Sequence, residues 1–349
     1  MSAYKGSKVR GYKPEPIPDT VVKKNREFVR KEENKKPPVG FEFHYETLDS
    51  NQRIVYRQIY DAVINGRSCL SPSCDRSEIN LIVDSLLDDY PSFFHIKFRL
   101  SEDGFLPFIL FIDRLMDDEM YRDAYEAMCS SIRVEGDQLS IEKAVRNKIV
   151  LGTDYPRQGE RDWTADNAYG VLINHIGTDE GIARAISFSL NSNGVKCSVI
   201  RGFLDGMPHV WNVVLIGKSY GHLDSTLDVN EDGSQSYIYF NLTDKRMALN
   251  HKWSVPTHCT DPLIRYLGEN SSRASDIVEA EDRLSLMLRT KKNSFSILMI
   301  GNINYSYDAI KRTAEKTFEK YGAPGTELFI SGYDEIQQVF CFQIRDQNA

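Results

Sequence analysis

The spacing of hydrophobic and polar residues changes along the chain, and each change predicts a different kind of structure. After Tyr45, apolar residues recur every three or four positions, which is typical of amphipathic helices. These helices are predicted over residues 48–66, 77–89, 117–134 and 140–150. Between Phe93 and Phe111, aromatic and β-branched residues predict one or two strands around an Asp103-Gly104 turn. The N-terminal third is therefore expected to be mostly helical.

The middle of the chain predicts helices followed by strands. A short helix is expected over Ala165–Ile176, and a second from Thr178 to Asn191, where Asn193-Gly194 ends it. Three alternating segments then predict strands joined by glycine-containing turns: Lys196–Gly202, His209–Ile216 and Tyr220–Asp224. A helix followed by antiparallel strands is typical of the α+β class.

The last section predicts two helices and three strands in alternation. Their expected bounds are helix Ser275–Arg289, strand Phe295–Ile300, helix Tyr307–Tyr321, and strands Glu327–Ile330 and Gln338–Ile344. The whole pattern predicts four regions. These are a flexible tail at 1–40, a helical region at 41–139, an α+β core at 140–262 and a small α/β module at 263–349.

Charge is distributed unevenly over the 349 residues. Residues 1–40 contain 11 Lys and Arg against 5 Asp and Glu, so the net charge of this segment is +6 and that of the remaining chain is −13. The same segment contains five of the 13 prolines. The proline content and charge indicate an extended tail, with contact to an acidic partner as the alternative. An acidic body argues against binding of nucleic acid.

The six cysteines are scattered, and only Cys69 and Cys74 lie close together. This spacing is not a zinc-binding signature, so no metal or other cofactor is predicted, and a reducing compartment is the simpler interpretation. The basic N-terminus lacks the apolar segment of a secretion signal, which makes a cytoplasmic location the default unless a leader has been removed. The apolar segment from Phe105 to Leu115 is too short to span a bilayer, so no transmembrane segment is expected.

Three polar residues stand where a thiol acyl-transfer enzyme would place its catalytic groups. Such sites put the nucleophile at a helix N-terminus, a histidine base on a facing strand and an orienting carboxylate on the next strand. Here Asp179 opens a predicted helix, and His209 and Asp224 lie on two successive predicted strands.

The motifs around these residues resemble the transglutaminase-like domain of bacterial proteins, within the papain-like superfamily of cysteine enzymes. The resemblance covers about Ile141 to Cys259. The matching segments are Tyr-Gly-x-Leu at Tyr169–Leu172, the helix start at Gly177–Ala183, His-x-Trp-Asn at His209–Asn212 and Asp-x-Thr at Asp224–Thr226. A later segment with His251 and Trp253 also resembles bacterial members. The resemblance implies a papain-like core with a helix packed on an antiparallel sheet, and a cleft to which Tyr169, Trp211 and Asn212 contribute.

The chain departs from this family at the nucleophile, because Asp179 stands where the family has cysteine. A carboxylate is a much weaker nucleophile than a thiolate, and an acyl-aspartate would be an anhydride. A second carboxylate would also favour the charged form of His209 and remove the base. Asp179 is therefore interpreted as a helix N-cap, and His209 with Asp224 as a structural pair supported by Trp211.

These observations predict an inactive transglutaminase-like protein that binds or scaffolds a peptide, a protein or a cell-wall fragment in its cleft. The main alternative is a hydrolase of peptide or isopeptide bonds in which Asp179, His209 and Asp224 activate water. Less favoured alternatives are a substitute thiol at Cys197, a metal bound by Asp179, His209 and Asp224, or an engineered replacement of a natural cysteine by Asp179.

Overall fold

The computed structural model describes residues 38–101, 108–156, 163–228, 236–268 and 270–346. The tail predicted for 1–40 lies outside the described residues up to Pro37, and so does the Asp103-Gly104 turn. Within the described ranges, no helix combines the length and the apolar character needed to cross a membrane.

Every described α-helix except Ile79–Asp89 begins after a short polar residue whose side chain caps the first turn. The first shows a complete capping box, in which Asp49 accepts from Asn51 N and Gln52 N while the Gln52 side chain accepts from Asp49 N. The described α-helices are α1 Ser50–Ile64, α2 Ile79–Asp89, α3 Asp118–Ser131, α4 Gln138–Leu151, α5 Asp179–Ser192, α6 Asp244–Met247, α7 Ile277–Arg289 and α8 Tyr307–Tyr321.

The first part of the described chain packs α1 and α2 against a small antiparallel sheet. Its strands are β1 Cys69–Leu70, β2 Ile96–Leu100 and β3 Leu110–Arg114, in the order β1-β3-β2. Tyr56, Ile82 and Leu86 from the helices and Ile112 from the sheet share one apolar cluster. The two-residue β1 was not expected, because so short a strand leaves no alternation in the sequence.

A five-stranded antiparallel sheet forms the centre of the fold. Its strands are β4 Cys197–Leu204, β5 Met207–Ile216, β6 Ser219–Leu223, β7 Phe240–Leu242 and β8 His251–Trp253, in the order β7-β6-β5-β4-β8. Helix α5 covers one face, where Ile186 packs with Cys197 and Val214. This arrangement confirms the predicted α+β class, with a helix on an antiparallel sheet.

The other face of the central sheet is covered by the last part of the chain. Strands β9 Ser271–Ala274, β10 Ser294–Met299, β11 Thr326–Asp334 and β12 Val339–Asp346 form a sheet in the order β11-β12-β10-β9. Leu298 and Val339 of that sheet share an apolar cluster with Ile200 and Trp211 of the central sheet. The central sheet is therefore buried on both faces, which explains why β4 and β5 contain few polar residues.

The helix predicted over Ala165–Ile176 is shorter than expected. Asn167 Oδ1 accepts from Tyr169 N at 3.0 Å and from Gly170 N at 3.2 Å. This side-chain contact delays the helical segment, which is π-helical over Gly170–Asn174. His175 ends it in the left-handed conformation at φ 59°.

Helix α4 carries a buried carboxyl group beneath the central sheet. Glu142 is fully buried, and its Oε2 accepts from Asn241 Nδ2 at 2.9 Å. Burial raises the pKa of Glu142 to about 8, although the hydrogen bond from Asn241 opposes the shift. Glu142 therefore binds a proton in the folded chain over a pH range in which it is ionised in the unfolded chain.

The buried Glu142 predicts a loss of stability as the pH rises. Between pH 4.5 and about 8 the unfolded chain binds fewer protons at this residue than the folded chain, so the free energy of unfolding falls with pH. In Glu142→Gln this contribution is absent, and the amide oxygen can still accept from Asn241. Urea unfolding across this pH range should show a shallower decline for Glu142→Gln than for the wild type.

The exposed Glu315 provides the control for this measurement. Glu315→Gln should retain the wild-type dependence of stability on pH. Parallel curves for the wild type and Glu142→Gln would contradict the raised pKa of Glu142.

Candidate functional site

The start of α5 places Asp179 at the edge of a cleft. Thr178 is the N-cap, since its backbone is extended and its Oγ1 accepts from Gly181 N at 3.4 Å. The prediction that Asp179 caps the helix is therefore wrong. Asp179 is the first helical residue, and its carboxylate points to the facing strand instead. Gly181 is required here, because a Cβ would lie 2.0 Å from Ala165 O.

His209 on β5 lies between two carboxylates. Its Nδ1 is 3.2 Å from Asp179 Oδ2, and its Nε2 is 2.7 Å from Asp224 Oδ2, so the three residues predicted from sequence meet. A neutral imidazole has one N–H, and donation to both carboxylates requires the charged form. Burial disfavours that form, but the hydrogen bonds to Asp179 and Asp224 outweigh burial and raise the pKa of His209 to about 10.

Asp224, at the end of β6, is fully buried and hydrogen-bonded through both oxygens. Oδ1 accepts from Thr226 N at 3.2 Å and from Thr226 Oγ1 at 2.8 Å. Oδ2 faces His251 Nε2 at 3.1 Å as well as His209. Burial alone would raise the pKa of Asp224, but hydrogen bonds from the two histidines outweigh it and lower the pKa well below its usual range.

His251 is a site residue that the sequence did not identify. It reaches Asp224 because β8 pairs with β4, which places His251 opposite Leu204. A strand of three residues leaves no alternation from which this pairing could be predicted. The only signal was the resemblance of the segment around His251 and Trp253 to bacterial transglutaminase-like proteins.

Tyr155 is a second residue that the sequence did not single out. Its hydroxyl donates to Asp179 Oδ1 at 2.7 Å, so both oxygens of Asp179 are engaged, one by Tyr155 and one by His209. The pKa of Asp179 is lowered mainly by the hydrogen bond from His209. Burial opposes this shift, and the hydrogen bond from Tyr155 lowers the pKa further. Asp179 is therefore held as a carboxylate with little basicity.

The three residues predicted to contribute to a binding cleft have other contacts. Trp211 is buried beside His209, with ring centroids 6.0 Å apart and an interplanar angle of 20°. Asn212 donates to Ala183 O at 2.8 Å inside the core, and Tyr169 stacks on Phe94. None of the three lines the pocket beside Asp179, so a binding role for them would be indirect.

A pocket of about 360 Å³ opens beside Asp179 and His209. Its lining includes the carboxylates of Asp166, Asp179 and Glu180, together with Arg201. The Arg201 guanidinium is already paired, because Nε lies 2.7 Å from Asp88 Oδ2 and Nη2 lies 2.9 Å from Glu180 Oε1. Three carboxylates therefore face two cations, Arg201 and charged His209, and Asp88 behind the wall also offsets Arg201, so the pocket carries a small excess of negative charge.

Two alternatives from the sequence do not fit this geometry. Cys197 is fully buried in the core under α5, and burial raises the pKa of its thiol well above the usual value, so it does not supply a nucleophilic thiol to this site. Asp179 and Asp224 contact opposite nitrogens of the His209 ring. A single metal ion therefore cannot be bound by Asp179, His209 and Asp224 together.

Comparisons with known proteins give only distant structural similarity. No family model matches the sequence, and no curated protein matches it. A TGase structure is 13% identical, covers 58% of this chain and 57% of its own, and gives a TM-score of 0.31. A predicted cysteine protease from Cytophaga hutchinsonii is 11% identical over 40% of this chain and 64% of its own, with a TM-score of 0.26.

A predicted protease from Parabacteroides distasonis is 9% identical over 71% of this chain and 61% of its own, with a TM-score of 0.28. This chain thus spans less than two thirds of the length of each of these three structures. These TM-scores and identities are too low to assign a fold family or an activity to the chain.

The two-carboxylate environment predicts how His209 responds to loss of Asp179. In Asp179→Asn one of the two charged acceptors becomes a neutral amide, so the pKa of His209 should fall below about 10. An NMR titration of the imidazole carbon-bound protons measures this shift. Asp166→Asn is the matched control, because Asp166 lines the same pocket and its carboxylate bonds Thr178 instead. An unchanged His209 pKa in Asp179→Asn would contradict the described contact.

Proposed function

We propose that residues 140–262 form a transglutaminase-like module without turnover, which binds an extended peptide in the pocket beside Asp179. The observation that carries the proposal is the position of Asp179. Its carboxylate lies at the start of a helix and 3.2 Å from the histidine ring, where a thiol enzyme of this type needs its nucleophile. The motifs that resemble the transglutaminase-like family surround this position on α5, β5 and β6.

Two features of the site argue against acyl transfer. A thiol enzyme needs a thiolate and a histidine that can exchange a proton with it. Asp179 supplies a carboxylate whose two oxygens are engaged by Tyr155 and His209. His209 bonds carboxylates through both ring nitrogens, and in its charged form it has no lone pair with which to accept a proton.

The same contacts argue against the alternative of water activation. A general base must accept a proton from water near neutral pH. The hydrogen bond from His209 holds the pKa of Asp179 below its usual range, and charged His209 is not a base. Binding without cleavage is therefore the function that this geometry supports best.

The pocket indicates what kind of peptide it accepts. Its volume of about 360 Å³ lies in the range of small-molecule and side-chain sites. Asp166, Asp179 and Glu180 line it together with Arg201 and charged His209, and Asp88 outside the lining also pairs with Arg201, which leaves a small excess of negative charge. An acidic pocket favours a lysine or arginine side chain, or the amino group of a cell-wall peptide, over an uncharged glycan.

A binding screen tests this proposal. Extended peptides with and without basic side chains, and cell-wall fragments with and without free amines, are titrated against the full chain. We expect basic peptides to bind best, and Asp166→Arg to weaken them by about tenfold, since it places a like charge at the exposed edge of the pocket. Asp282→Arg, on the exposed surface of α7, makes the same charge change elsewhere and should leave binding intact.

Two outcomes of this screen would overturn the proposal. One is the absence of any ligand at high concentration. The other is hydrolysis of a peptide or isopeptide bond that disappears in Asp179→Ala, which would establish the enzyme instead. Stronger binding of neutral glycans than of basic peptides would support a ligand site in the pocket but contradict the proposed peptide ligand.

Restoring the thiol tests whether the surrounding scaffold is that of a thiol enzyme. In Asp179→Cys a sulfur takes the place of the carboxylate beside charged His209, at a helix N-terminus that favours the thiolate. We expect the new cysteine to react with iodoacetamide at pH 7 at least about tenfold faster than a free thiol of ordinary pKa. The matched control is Asp179→Cys combined with His209→Gln, which should lose this acceleration. Equal rates in the two variants would show that His209 does not activate the position.

A further inference from the structure

We propose that His209 Nε2, His251 Nε2 and Asp224 Oδ2 bind a divalent metal ion of the zinc class. These three donor atoms lie within 4.8 Å of one another and belong to buried residues. The site is on the Nε2 side of His209, whereas the pocket of the proposed function is on its Nδ1 side. The inference is therefore independent of whether the pocket binds a peptide.

The donor set matches the chemistry of zinc. Two imidazole nitrogens and one carboxylate oxygen are a common set of three protein ligands, which leaves a further coordination position for water or a bound molecule. In a tetrahedral site, metal–ligand distances of about 2.0–2.2 Å place neighbouring donors about 3.3–3.6 Å apart. Asp224 Oδ2 is 2.7 Å from His209 Nε2 and 3.1 Å from His251 Nε2. To admit the ion, the first pair would separate by about 0.6–0.9 Å and the second by about 0.2–0.5 Å.

Both imidazoles are oriented as metal ligands usually are. A ligating histidine almost always donates its other ring N–H to a carboxylate or carbonyl oxygen. His209 Nδ1 faces Asp179 Oδ2 at 3.2 Å, and His251 Nδ1 faces Asn250 Oδ1 at 2.8 Å. The orientation of Asn250 is fixed, because its amide nitrogen donates to Tyr239 Oη at 2.8 Å. Each ring can therefore carry its proton on Nδ1 and offer Nε2 to an ion.

Asp224 and the two rings are held in place by their neighbours. The second oxygen of Asp224 accepts two hydrogen bonds from Thr226, so Oδ2 is left facing the histidines. Trp211 stacks beside His209 and packs edge-on against His251, with centroids 5.0 Å apart in the second pair. Such preorganisation limits the entropy lost when an ion binds.

The local charge also favours a dication. Asp224 and Asp179 carry two negative charges around two imidazoles, and one divalent ion with neutral rings would balance them. On binding, both Nε2 protons donated to Asp224 must leave their nitrogens, because a histidine ligand offers a lone pair. The proton of His209 is released to solvent, and that of His251 moves to Nδ1 beside Asn250 Oδ1 or is also released.

A second group of donors nearby fails the same test. His222, Asp244 and Cys259 also lie within 4.8 Å of one another. The Trp211 indole N–H donates to His222 Nδ1 at 3.0 Å, so the ring proton of neutral His222 is on Nε2, where it bonds Asp244 Oδ1 at 2.9 Å. An ion at Nε2 would require removal of the only ring proton. The tautomer of His222 therefore argues against a metal ion at His222, Asp244 and Cys259, and leaves the group of His209, Asp224 and His251 as the candidate site.

Calorimetry with Zn²⁺ on the full chain, after chelator treatment and dialysis, tests the proposal. We expect one ion per chain, no competition from a large excess of Mg²⁺, and proton release shown by a binding heat that depends on the buffer. His251→Gln removes one ligand while its amide can still donate to Asp224, and it should weaken Zn²⁺ binding by at least about tenfold. Cys259→Ser should bind as the wild type does, because Cys259 belongs to the rejected group.

Two results would overturn the site. One is the absence of stoichiometric Zn²⁺ binding, and the other is equal affinity in the wild type and His251→Gln. Thermal melting in chelator verifies that each variant is folded before titration, and His209→Gln serves as the second ligand variant if His251→Gln does not fold. Peptide binding measured in chelator tests the proposed function separately, so failure of either idea leaves the other to be judged alone.

Discussion

The geometry of the site depends on one buried carboxylate, Asp224. It receives hydrogen bonds from Thr226 on one oxygen and faces two histidine rings with the other, in surroundings with no access to solvent. A buried anion is tolerated only when several donors surround it. Asp224 therefore fixes the position of His209 on β5 and of His251 on β8. The position of His209 in turn determines where its Nδ1 meets Asp179 at the pocket.

A second set of charges holds the site helix to the N-terminal part of the chain. Asp88 on α2 pairs with Arg201 on β4 at 2.7 Å, and Arg201 in turn pairs with Glu180 in the first turn of α5. Arg184, one turn further along α5, contacts both Glu180 and Asp88. Because Asp88 is buried and lacks solvent, removal of either arginine would leave a poorly compensated charge. The N-terminal helices are thus part of the wall behind the pocket, although no motif in them indicates a function.

The sequence was sufficient for the α+β class and for the meeting of Asp179, His209 and Asp224. These predictions rested on long periodic segments and on motifs that cover helix starts and strands. The cap of α5 was assigned one residue too late, because Thr178 and Asp179 are both good capping residues and only the backbone decides between them. His251, Tyr155 and β1 were missed because their contacts come from tertiary pairing or from very short elements, which leave no local pattern.

Trp211 separates two histidines that would otherwise share one environment. On one side its ring lies beside His209, whose pKa is raised, and on the other its N–H bonds His222, whose pKa burial lowers despite the nearby Asp244. A single indole thus divides the core of the sheet into a region that holds positive charge and one that excludes it. The charged imidazole of His209 therefore lies against the face of this indole, and the neutral imidazole of His222 lies at its N–H edge.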